Sequence, residues 1–96
     1  MTTSRSSTSN TSREQVCREV RQIVAEQIGM DVNSVREDHL LVEDLGFDSL
    51  DKVESTMEVE DHFDISIPDE LADRVRRVAD IIEGVWQRLH EGDPAP

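Results

Sequence analysis

The stretch Asp44-Leu45-Gly46-Phe47-Asp48-Ser49-Leu50-Asp51 is where residue types and spacing in this 96-residue chain converge on a chemistry. Ser49 lies between an aspartate and a leucine, just behind Gly46, where an acidic helix begins. The first backbone N–H groups of a helix have no partner inside it, and the dipole there is positive. A hydroxyl at that point suits a phosphodiester, whose oxygens those N–H groups would receive. It is poorly placed to be a nucleophile in its own right. No histidine stands at the spacing of a base, the G-x-S-x-G elbow is absent, and no triad can be assembled. The chemistry is attachment rather than turnover, so no catalytic residue is assigned. An ordinary helix-start serine would explain Asp48-Ser49 alone. Gly46 shifts the balance because it permits a tight turn, with Leu45 or Phe47 to anchor it.

The helix that must present Ser49 is predicted from Ser49 to about His62. Asp48 suits its N-cap, and Asp51 can face back to that cap. Leu50, Val53 and Met57, with Val59 and Phe63, are expected on its inward side. Asp51, Glu54, Glu58, Glu60 and Asp61 make the outward side almost wholly acidic, with Lys52 as its base. Between Glu37 and Asp64 stand eleven acids and one lysine. Such one-signed charge forgoes the usual Glu–Lys pairing along a helix and costs stability. A cost concentrated on the helix that Ser49 opens points to a docking surface.

Upstream, a first helix is predicted near Arg13, capped by Thr11 or Ser12 and ended by Gly29. Val16, Val20, Ile23, Val24 and Ile28 form its apolar stripe, and Cys17 lies beside it as a small packed residue. The long loop that follows needs internal anchors. Val35, Leu40, Leu41, Val42 and Leu45 can supply them, and Ser34 with Glu37 can cap a single turn. Downstream, Asp64 to Asp69 reads as an extended link, with Pro68 fitting a helix start. Leu71 and Val75 mark a short third helix. Val78, Ile81, Ile82, Val85 and Leu89 mark a last one, expected to fray beyond Gly84. The fold class is all-α: a small four-helix bundle with a long loop between helices 1 and 2 and a short third helix. Residues 1–12 are expected to be a disordered Ser/Thr-rich tail, 13–90 the folded domain, and 91–96 a flexible tail.

Net charge is −12, from 22 acids and 10 bases. That argues against nucleic acid and against anionic membranes, and for partners with basic patches. A single cysteine cannot form an internal disulfide, which fits a reducing cytoplasmic setting. His39, His62 and His90 are too scattered for a metal site, and the acids do not match a calcium loop.

With these residues in hand, the chain resembles the acyl carrier protein family over roughly Arg13 to Leu89. Asp44 to Asp51, continued by Val53-Glu54, is similar to that family's attachment motif. Phe63-Asp64-Ile65-Ser66-Ile67-Pro68-Asp69-Glu70 is similar to a second family segment at the expected separation. The resemblance implies that Ser49 receives 4′-phosphopantetheine from coenzyme A through a separate transferase, and that the arm carries acyl groups as thioesters. It implies a non-enzymatic, monomeric carrier in fatty-acid-like or specialised acyl and polyketide synthesis. Its partners would be the phosphopantetheinyl transferase and acyl-transfer and condensing enzymes with basic patches. Asp48, Asp51, Glu54, Glu60 and Asp61 would meet those patches, with Met57 as a central apolar contact.

Several positions depart from the pattern of fatty-acid synthesis. Ser55 and Thr56 stand where two aliphatic residues are usual, implying a smaller or more polar acyl cavity. Glu58 replaces a small residue, and Arg76-Arg77 stand where a threonine cap commonly opens the last helix. These departures point to a specialised pathway. A different class of function is kept beside it: an acidic helical adaptor that binds a basic protein and carries no arm.

Overall fold

The computed structural model describes residues 12–91. Four helices follow one another: α1 (Arg13–Ile28), α2 (Ser49–Phe63), α3 (Asp69–Arg74) and α4 (Val78–Glu91), with a 3-10 turn at Val32–Ser34. Helix α1 packs against both α2 and α4. Val16, Val20, Val24, Val35, Leu41, Phe47, Val59, Val78, Ile82 and Val85 are buried between them. The aliphatic composition thus becomes a core of β-branched side chains, closed by Phe47 under the loop. Ser12 caps α1, its hydroxyl accepting from the Gln15 N–H at 3.1 Å. Gly29 ends that helix with φ of 70°, a conformation that suits glycine. Thr11 and the rest of residues 1–11 and 92–96, most of the two expected tails, lie outside the described residues, whereas Ser12 and Glu91 belong to the helix ends.

The loop from Gly29 to Asp48 is a structural element in its own right. Arg21 pins it to α1, donating from Nε to the Val35 carbonyl at 2.9 Å and from Nη2 to the Val32 carbonyl at 3.2 Å. The loop then builds the start of α4. Val78 N–H donates to the His39 carbonyl at 3.1 Å and Ala79 N–H to the Glu37 carbonyl at 2.8 Å. Leu41 N–H reaches the Arg76 carbonyl at 2.8 Å, and Leu40 and Arg77 pair as a single antiparallel bridge. The Asp80 carboxylate closes the cap by accepting from the Arg76 and Arg77 N–H groups, both at 2.9 Å. Helix α4 therefore opens without a threonine and is still fully capped.

Four local expectations need correction. Leu50, Val53 and Met57 do not face inward; they are 61%, 54% and 61% exposed. The stripe of α2 that meets the bundle is Ser55 and Val59, flanked by half-buried Thr56 and Phe63. Two stripes of similar helical spacing compete on α2, and the way the helix lies on the bundle selects the less apolar one. Val42 is also exposed, because Leu41 takes the buried place beside it. Ser34 and Glu37 do not cap the 3-10 turn; Asp31 does, accepting from Asn33 N–H at 2.9 Å. Finally, α4 runs unbroken through Gly84 to Glu91.

Candidate functional site

Ser49 is the first residue of α2 and is exposed. The turn before it is shaped by Gly46, whose φ of 77° lies in the left-handed region. Phe47, buried, anchors that turn, and Phe47 N–H donates to the Leu41 carbonyl at 2.8 Å. Asp44 holds the far side, accepting from Leu40 N–H at 2.8 Å. Asp48 and Asp51 then form a reciprocal capping box. Asp48 Oδ1 accepts from Asp51 N–H at 2.9 Å, and Asp51 Oδ2 accepts from Asp48 N–H at 3.1 Å. The N–H groups of Ser49 and Leu50 meet no acceptor among the described residues. The Ser49 hydroxyl thus stands beside open donors at the positive end of a 15-residue helix. That donor set fits a phosphodiester. A groove of about 420 Å³ runs from Ser49 between α2 and α3, past Lys52, Thr56, Ile67 and Ala72.

The acids divide by what they already do inside the molecule. Asp51 is bound twice: by the cap and by Gln27 of α1, whose Nε2 donates to Asp51 Oδ1 at 3.1 Å. The same Gln27 nitrogen donates to Glu54 Oε1 at 2.9 Å. The Gln27 amide, with the Asp48 N–H, holds the Asp51 carboxyl below its ordinary pKa. Glu60 Oε2 accepts from Ile67 N–H at 2.7 Å, so this side chain ties α2 to the link before α3. Asp48 is exposed but caps the helix, and Asp61 is exposed. Leu50, Val53 and Met57 form an exposed apolar stripe among these acids.

Sequence reasoning missed two of these residues, and both act across helices. Gln27 joins α1 to Asp51 and Glu54. Lys52 reaches over to the end of α3, donating from Nζ to the Val75 carbonyl at 3.2 Å. The one signal for Lys52 was its isolation among eleven acids. Gln27 gave none. Cys17 is buried, and its thiol donates to Glu37 Oε2 at 3.1 Å. Burial raises its pKa, and the Glu37 carboxylate raises it further. It is a packed thiol rather than a nucleophile. His62 pairs with Glu19 of α1 at 2.9 Å, and His39 Nδ1 accepts from Arg36 N–H at 3.1 Å.

The family model of the phosphopantetheine attachment site matches residues 18–85. The acyl carrier protein of Akkermansia muciniphila is 46% identical over 63 residues, which are 66% of this chain and 79% of that protein. That of Clostridium acetobutylicum is 42% identical over 76 residues, 79% of this chain and 99% of that protein. The acyl carrier protein structure from Thermotoga maritima superposes with a TM-score of 0.73 at 36% identity, covering 84% of this chain and 94% of that one. Bundle and match together define a phosphopantetheine-binding helical carrier. More closely, the chain belongs to the acyl carrier protein family, whose members are non-catalytic carriers in acyl biosynthesis. Such carriers work with phosphopantetheinyl transferases and acyl-handling enzymes. No helix among the described residues is long and apolar enough to cross a membrane.

Proposed function

We propose that Ser49 is the attachment point of 4′-phosphopantetheine and that residues 13–90 are the carrier domain. The supporting observation is the exposed Ser49 hydroxyl at the capped start of α2, with open N–H donors beside it and a groove leading from it. When bound, the group supplies a flexible arm ending in a thiol that holds an acyl chain as a thioester. The chain's own residues do the rest. Asp48 and Asp51 fix the helix start, the open Ser49 and Leu50 N–H groups would hold the phosphate, and the α2–α3 groove would receive what the arm carries.

The same reading makes this chain a substrate of its partners rather than an enzyme. Asp48, Asp51, Glu54, Glu60 and Asp61 would face basic patches on the transferase and on acyl-transfer and condensing enzymes. Leu50, Val53 and Met57 would be covered at the centre of that contact, consistent with their exposure. A monomeric, cytoplasmic protein completes the reading; the one cysteine, free and buried, fits a reducing setting.

Co-expression with a transferase of broad specificity, followed by intact mass measurement, tests the assignment. The native chain gains the mass of the arm, and Ser49→Ala does not. An unmodified native chain, or a modified Ser49→Ala, would refute it. Charge reversal at Glu54 tests docking: association with a basic partner slows, most at low salt. Glu54 is the cleaner choice over Glu60, whose carboxylate also holds Ile67.

A further inference from the structure

Ser55 is the one buried polar residue among the described residues, at 2% exposure, and its Oγ has no hydrogen-bond partner there. Its neighbour Thr56 spends its hydroxyl on the Lys52 carbonyl at 2.8 Å, one helical turn back. Ser55 makes no such bond. The residue borders a hollow of about 190 Å³ between α2, α3 and α4 that reaches Ile81 and Gly84. Thr56, Ile67 and Ala72 line both this cavity and the groove that starts at Ser49. The two hollows therefore share a wall, and Ser55 lies behind it with its Oγ closed to solvent.

A buried hydroxyl without a partner is unfavourable, and sealing it under a hydrocarbon deepens the penalty. A ligand oxygen that pairs with it removes the penalty. Size narrows the ligand further. An apolar cavity of about 150 Å³ takes a molecule of benzene's size. The present cavity therefore suits roughly six to eight non-hydrogen atoms by the same measure.

We propose that this cavity selects a short acyl chain bearing an oxygen, a keto or hydroxyl group, that pairs with Ser55 Oγ. The inference rests on the carrier reading and on Ser49 as its tether. It places the protein in a pathway whose intermediates keep their oxygen, where a carrier of fully reduced chains would have an aliphatic residue at position 55.

The test loads the full-length protein with amide-linked pantetheine analogues, which do not hydrolyse. Hexanoyl is compared with β-oxo- and δ-oxohexanoyl, on the native chain and on Ser55→Ala. Intact mass reports loading. Amide chemical shifts of Ser55 and Ile81, together with the melting temperature, report docking. At least one oxo chain should dock about three- to tenfold better than hexanoyl in the native chain, the worth of one net hydrogen bond. In Ser55→Ala that preference should vanish and hexanoyl should dock better than before. Loading with the same order of docking in both proteins, or with hexanoyl best in the native chain, would overturn the inference and leave the carrier reading intact. Failure to load at Ser49 would overturn both.

Discussion

Glu60 gives the sharpest test of how α2 is held. Its Oε2 accepts from the Ile67 N–H at 2.7 Å while its own carbonyl accepts from Ile65 N–H at 3.0 Å. One residue thus organises the turn from α2 toward α3. A hydrogen bond to a charged acceptor contributes about 1.5–3 kcal/mol. Glu60 is half-buried, which places it at the low end or beneath, and its loss also relieves repulsion from neighbouring acids. The expected cost of Glu60→Ala is therefore about 1–2 kcal/mol. For a domain of this size each kcal/mol moves the melting temperature by about 4–8 °C. Glu60→Ala should thus melt roughly 4–16 °C lower. Glu60→Gln keeps a neutral acceptor and should lose about half as much, since charge-assisted bonds are about twice as strong. Asp61→Ala, at an exposed neighbour, should stay within about 0.5 kcal/mol of the native chain. Thermal unfolding followed by circular dichroism, in one buffer, decides the matter. A Glu60→Ala melt within about 2 °C of the native chain, or an equal loss in Asp61→Ala, would refute the reasoning.

Three further outcomes are expected. A Cβ on Gly84 would meet nothing within 4 Å, so Gly84→Ala should stabilise α4 by about 1 kcal/mol and raise the melting temperature. Gln27→Ala should raise the Asp51 titration midpoint toward the ordinary carboxylate range, read by carboxyl chemical shifts. Because the folded-state pKa of Asp51 is depressed, its contribution is present above the ordinary carboxylate range and is lost as pH falls through the folded value. The melting-temperature gap between the native chain and Gln27→Ala should accordingly be widest near neutral pH and close in acid. Added salt, or millimolar Mg²⁺, should raise the melting temperature by screening the acids of α2, and a flat profile would count against their repulsion.

The local signals were legible. Asp48 with Asp51, Ser12 with Gln15, and Gly29 after an apolar stripe each act within a few residues, and each does what its spacing implies. The exposure of Ser49 and the need for Gly46 follow from the same short-range rules. What was not legible depends on how helices lie against one another. The stripe of Leu50, Val53 and Met57 is more apolar than that of Ser55 and Val59, yet the bundle buries the second. An inward assignment by hydrophobicity fails where the packing of the helices turns the more apolar face to solvent. The carbonyls of Glu37 and His39 that cap α4 lie some forty residues from the helix they serve, beyond the reach of any capping rule. Arg76-Arg77 bring no side-chain cap of their own, and Asp80, inside the helix, supplies it.

The loop's hold on α4 has a consequence for how the molecule breathes. Helix α1, the loop and the start of α4 share main-chain bonds and the arginine clamp of Arg21, so they must come apart together. Helix α3 is different: six residues, none of them buried, with no side-chain cap. Polar ties at its two margins are the Glu60 carboxylate on Ile67 and the Lys52 ammonium on Val75. These contacts divide the domain into a frame and a flap, and amide protons of the flap should exchange with solvent long before those of the frame. A cargo reaching Ser55 would need the flap alone to lift, while the frame that positions Ser49 stays folded.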